Sequence, residues 1–134
     1  MDWTECIKRR LAKDVMADDN LIKSLRDMAK NKIKASNSLS MDFHHSKITL
    51  LYDALREILE SIALEKGFKI YNHECYTAFL KEILHLSEYA DKFDSFRKIR
   101  NGINYYGQKI SVDEAEAIIE GLQNLIKKFQ NNWI

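Results

Sequence analysis

The chain has 134 residues, 46% hydrophobic and 31% charged, the composition of a globular domain rather than a disordered or fibrous chain. Lys plus Arg is 21 against Asp plus Glu 20, which excludes the overall basicity of many dedicated nucleic-acid binders. No apolar run is long enough for a membrane span, and Asp2 and Glu5 spoil a positively charged leader, so a cytoplasmic protein is expected.

Trp3, Ile7, Leu11 and Val15 recur every four residues among Lys8, Arg9, Arg10 and Lys13, the pattern of an amphipathic N-terminal helix over residues 1–18. A second helix is expected from about Leu21 to Ala35, with Leu21, Ile22, Leu25, Met28, Ala29 and Ile33 as its stripe and Asp19 or Asn20 as cap. Ser36 to Ser40 then reads as a loop. Ile48, Leu51, Leu55, Ile58 and Ile62 define the clearest helix, stopped by Gly67. Phe68 to Tyr71 is a connector, after which Asn72 caps a helix carrying Cys75, Tyr76, Phe79, Leu80 and Ile83. A bend near Leu86-Ser87 precedes a helix from Tyr89 to Tyr106, closed by Gly107. Ser111 with Glu114 opens the last helix, along Ala115, Ile118, Leu122, Leu125, Phe129 and Trp133. No proline is present and only four glycines, so the turn punctuation of a β protein is missing. The expectation is one all-α domain over residues 1–134, a five- to six-helix up-and-down bundle in which residues 1–18 are an extra amphipathic helix.

Most chemistry-bearing side chains have a simple structural explanation. Cys6 and Cys75 match no zinc or redox spacing and read as buried small hydrophobes of a reducing compartment. Glu82 and His85 have the Glu-x-x-His spacing of di-metal bundles but no second copy, and adjacent His44 and His45 point in different directions, so no metal or cofactor is expected. His73 lies beside the Asn72 cap, where helix-start chemistry suffices. Residues 1–50 carry ten basic and seven acidic side chains, residues 51–96 five and nine, and residues 97–134 six and four. That partition leaves room for a phosphate-contacting patch built from both ends of the chain.

One segment asks for more. Arg97, Arg100, Asn101 and Asn104 fall at i, i+3, i+4 and i+7, which puts them on one helix face. Asn101, Gly102 and Asn104 together forfeit roughly 2 kcal/mol of helix propensity, so something other than helicity chose them. Two arginines and two amides offer donors for phosphate or carboxylate oxygens, while Gly102 permits close approach of another helix or subunit.

The run Ser95-Phe-Arg-Lys-Ile-Arg-Asn-Gly-Ile-Asn-Tyr-Tyr-Gly107 resembles the signature region of the HEPN-domain family. Upstream, Tyr52 to Glu60 and Gly67 to Glu74 are similar to the central helix and following turn of prokaryotic members. The resemblance implies a dimerising helical bundle, often paired with a minimal nucleotidyltransferase or acting in toxin–antitoxin systems, and in many members a metal-independent ribonuclease. The family's active motif is Arg, a polar residue, then His after four to six intervening residues. Arg100 and Asn101 match its start, but the His positions hold Tyr105, Tyr106 and Gly107. Histidine exchanges protons near neutral pH and tyrosine does not, so the phosphate-binding half of the motif is present without its proton-transfer half. The sequence therefore leads us to expect an RNA- or nucleotide-phosphate-binding protein that lacks efficient ribonuclease activity. Arg97, Arg100, Asn101, Asn104 and Tyr105 are the expected contacts, and Gly102 and Tyr106 the expected homodimer contacts. An active endoribonuclease toxin and a purely structural dimer are the alternatives, and no catalytic residue is assigned.

Overall fold

The computed structural model describes all 134 residues. Six helices make an all-α bundle: α1 (Trp3–Lys8), α2 (Asp19–Ser38), α3 (His44–Glu65), α4 (His73–Ala78), α5 (Ser87–Tyr106) and α6 (Val112–Trp133). Two three-residue strands, β1 (Ala12–Asp14) and β2 (Phe68–Ile70), pair antiparallel with Ala12 opposite Ile70. No helix is long and apolar enough to cross a membrane.

α3 is the central element because its apolar residues are not confined to one stripe. Ile48, Leu51, Tyr52, Leu55, Ile58, Leu59 and Ile62 are all buried, so α3 is covered on several sides at once. α2 lies along one flank and α6 along another, with α5 and β2 completing the enclosure. A single core joins residues from Cys6 to Phe129, with Tyr52, Tyr76, Phe79, Phe93 and Phe129 as its largest fully buried side chains.

Helix ends follow local chemistry. Asp18 Oδ1 accepts from the amides of Asn20 and Leu21, so the α2 cap falls one residue before the positions expected. α2 also runs on to Ser38, because buried Lys47 donates from Nζ to the carbonyls of Ser36 and Leu39, at 2.7 and 2.9 Å, and satisfies its end. Asn72 and Ser111 cap α4 and α6, and Gly67 and Gly107 take positive φ after α3 and α5. α4 continues into a π-turn at Phe79–Ile83 before the chain bends into α5.

Three expectations fail in and around the N-terminal region. The amphipathic helix over residues 1–18 stops at Lys8, since Arg10 adopts a left-handed conformation (φ 57) and the chain turns into β1. β2 occupies what reads as a connector, and the amide of Tyr71 donates to the carbonyl of Leu11. The two cysteines are not separate buried thiols: Cys6 and Cys75 form a disulfide with a Cα–Cα distance of 6.1 Å. Trp3 packs its ring against Phe68 and Phe79 and carries α1 onto α4, which is what brings the sulfurs together.

Candidate functional site

The polar stripe of α5 divides. At about 100° per residue, Arg100 and Asn104 fall to one side of Arg97 while Asn101 and Tyr105 fall to the other, and different neighbours receive them. Arg97, Asn101 and Tyr105 line a cleft of about 230 Å³ facing Asn72, His73 and Glu74 at the start of α4. Arg100 instead turns toward α3, its Nη2 lying 3.6 Å from Asp53 Oδ1. Its guanidinium sits over the rings of Tyr52 and Tyr105, at 5.6 and 5.8 Å, and Nη1 donates to the Tyr105 hydroxyl at 3.4 Å. Arg100 Nε is buried without a partner. Asn104 accepts from Thr49 Oγ1 at 3.4 Å and borders a separate hollow with His45 and Leu50.

Arg97 is held in place by Asp94. Its Nε and Nη2 both approach Asp94 Oδ1, at 3.0 and 2.9 Å, while Lys98 takes Oδ2 at 3.2 Å. Burial pushes the Asp94 carboxyl up, but hydrogen bonds and charge from Arg97 and Lys98 outweigh it and hold it below the usual range. Asp94 stays ionised and fixes the arginine as a rigid donor.

His73 is the residue that the sequence did not single out as functional. Its Nδ1 lies 2.9 Å from the hydroxyl of Tyr52, and the ring borders the same cleft as Arg97 and Asn101. Burial lowers its pKa to about 4, with the charges of Arg56, Arg100 and Arg97 adding to the effect against Asp53. Burial likewise pushes the Tyr52 phenol well above its ordinary value. Tyr52 is therefore a neutral hydroxyl and His73 a neutral imidazole at pH 7. The tautomer of His73 sets the direction of this bond: with the phenol donating to Nδ1, the proton of His73 lies on Nε2. The arginine field that disfavours imidazolium is a field that favours an anion.

Gly102 is approached closely from within its own chain. The side chain of Gln108 fills the space beside it, and the Gln108 amide donates to the Gly102 carbonyl at 3.0 Å. The close approach that Gly102 permits is made within the chain, by the loop that follows α5. Tyr106 is 83% exposed and Tyr105 69%. Glu82 accepts the Trp3 amide at 2.6 Å, and no group of three or more His, Cys, Asp or Glu is placed to hold a metal ion.

His73 was missed because its partners lie on α3 and α5, and the adjacent Asn72 cap explains a polar residue there already. The cleft is smaller than the groove of about 450 Å³ between α2 and α6; its chemistry rather than its size distinguishes it. No family model matches the chain, and neither a curated protein nor a solved structure matches it significantly.

Proposed function

We propose that the chain binds RNA or nucleotide phosphates in the cleft between α4 and α5. The observation that carries this reading is the convergence of Arg97, Asn101 and neutral His73 on one cleft, with Arg100 behind it. Arg97 and the Asn101 amide supply donors for phosphate oxygens, and His73 Nε2–H adds a third without the desolvation cost of a buried charge. The exposed ring of Tyr105 is a surface on which a base can stack. The HEPN resemblance agrees with this ligand class, and from it come a homodimer and a nucleotidyltransferase or antitoxin partner. A cytoplasmic location comes from the same resemblance, while the Cys6–Cys75 bond removes the free thiols as a ground for it. Fluorescence anisotropy with short labelled RNA and with a nucleotide tests the reading. The Arg97→Ala/Asn101→Ala double variant is expected to weaken binding about tenfold or more, from the loss of charge-assisted contacts. Equal affinity in the variant rejects the site.

His73 favours a second reading, metal-independent RNA cleavage. If the Tyr52 bond reverses, so that Nδ1–H donates to the phenol oxygen, the Nε2 lone pair becomes free to take the proton of a 2′-hydroxyl. The imidazole absent from the α5 motif is then supplied by α4. Incubating RNA with the protein in chelator separates the readings: cleavage lost in His73→Asn selects the enzyme, and intact RNA beside retained binding selects the binding module.

A further inference from the structure

The uncompensated positive charge of this molecule is not at the cleft. Arg97 and Arg100 each face a carboxylate, as do Arg26 and Lys32 on α2, which go to Glu65 and Glu57 of α3. Lys30 and Lys34, on the same helix, have no carboxylate within 4.0 Å, and neither has Lys127 on α6. These three lysines border the groove of about 450 Å³ between α2 and α6, and no acidic residue lines it.

The two walls of the groove match. Lys30, Lys34 and Asn37 follow at i, i+4 and i+7 on α2, and Gln123, Lys127 and Gln130 do the same on α6. Seven residues at 1.5 Å give each stripe a length of about 10 Å, the span of about three nucleotides at the roughly 3.4 Å rise of a stacked strand. The α2 wall presents two ammonium groups and then a carboxamide, and the α6 wall one ammonium group between two carboxamides. Ammonium groups suit phosphates as point charges, and carboxamides both donate and accept, as base edges and ribose hydroxyls require. The floor is apolar, with Leu51 and Ile126 buried and Ile33 half-buried beside them. An amphipathic helix, which binds a groove through apolar anchors, would reach half-buried Ile33 here but would leave the three ammonium groups without counter-charge.

We infer that the groove between α2 and α6 is a second RNA-binding surface, which grips the phosphate backbone of a single strand through Lys30, Lys34 and Lys127. The inference shares its ligand class with the cleft reading but none of its residues, so the two fail separately. The charge supplied here is the sequence-independent part of affinity, while the carboxylate-paired arginines of the cleft contribute geometry.

The test is anisotropy titration of the full chain with a short labelled oligouridylate over a series of salt concentrations. The triple variant Lys30→Gln/Lys34→Gln/Lys127→Gln removes three exposed ammonium groups, and its thermal melt verifies that it folds. Binding is expected to weaken at least about tenfold at low salt, and the slope of log affinity against log salt to fall by about 2, at roughly 0.7 per phosphate contact. Affinity and slope unchanged in the triple variant overturn the inference, as does a wild-type protein with no salt-dependent RNA binding. A labelled oligoglutamate helix that binds more tightly than RNA, and is lost in the triple variant, assigns the groove to an acidic protein and overturns it too. Arg97→Ala/Asn101→Ala, run beside these, reports on the cleft alone: loss there with an unaffected lysine variant leaves the cleft reading standing and removes this one, and the converse removes the cleft reading.

Discussion

Two irregular segments are laid over the bundle, and they are fastened by different forces. The N-terminal strap, residues 1–14, is held by the Cys6–Cys75 bond, by the Trp3 ring on Phe68 and Phe79, and by the β1–β2 pairing. The loop of residues 107–111 is held by two imidazoles at one residue: His45 Nε2 accepts from the amide of Ile110 at 2.9 Å, and His44 Nε2 lies 2.7 Å from its carbonyl. Each segment supports one wall of the cleft. The strap reaches α4 through Cys75, two residues after His73, and the loop follows directly from Tyr105 and Tyr106. One wall is thus secured by bonds indifferent to pH, and the other by an acceptor that a proton removes.

The largest expected effect breaks the strap. Cys6→Ala/Cys75→Ala deletes a cross-link spanning 69 residues of sequence separation, which typically contributes about 2–4 kcal/mol. At roughly 4 °C per kcal/mol for a domain of this size, the melting midpoint should fall by about 8–16 °C. Phosphate affinity should weaken as well, because α4 loses the tether nearest His73. A midpoint within about 2 °C of the wild type means that apolar packing alone holds the strap, and the contrast with the loop then disappears.

The contrast also separates what the sequence discloses from what it does not. The ends of α3, α5 and α6 were legible because the signals are local: Gly67, Gly107 and Ser111 act on residues within one turn. The spacing of Trp3, Ile7, Leu11 and Val15 overextended α1 because what ends it, Ala12 pairing with Ile70, lies far along the chain. Cys6 with Cys75 and Tyr52 with His73 are long-range partners of the same kind, and neither residue of either pair carries a mark of the other. Of the candidate site, the α5 residues were named from the sequence and their division between different neighbours was not. Periodicity gives the angle of a side chain on its own helix, while the neighbours decide that Arg97 lines the cleft and Arg100 meets Asp53.

Acid sharpens the comparison by acting on the loop. Burial lowers the pKa of His45 below its ordinary 6.5, and the neighbouring His44 and Lys109 charges lower it further. With the folded value depressed, the contribution of His45 to stability is present above pH 6.5 and is lost as pH falls from there through the folded pKa. Protonated Nε2 no longer accepts from Ile110. His73, depressed to about 4, has the same sign, so overall stability declines from both residues. Amide exchange isolates the loop: protection at Ile110, corrected for intrinsic rate, should be lower at pH 5 than at pH 7.5, while Tyr71, bonded to the Leu11 carbonyl in the strap, keeps its protection relative to global unfolding. His45→Phe should cost about 1 kcal/mol at neutral pH, the net value of one hydrogen bond, and abolish the pH difference at Ile110. A difference that survives in His45→Phe assigns the sensitivity elsewhere.

The smallest effect is expected at Gly102, where the loop leans on α5. A Cβ at this position meets Gln108 Oε1, a contact that something must relieve. The atom met is the far end of a flexible side chain, and Gln108 is exposed, so its carboxamide swings into solvent at little cost. The backbone bond from the Gln108 amide to the Gly102 carbonyl needs no change. Against that small loss stands a gain of about 1 kcal/mol, because glycine inside a helix is that much worse than alanine. Gly102→Ala should therefore stabilise the protein by less than about 1 kcal/mol, read as a slight rise in denaturation midpoint at unchanged m-value. A loss of stability instead shows that the loop requires the Gln108 side chain against the helix, and that its fastening is tighter than two imidazoles and one amide provide.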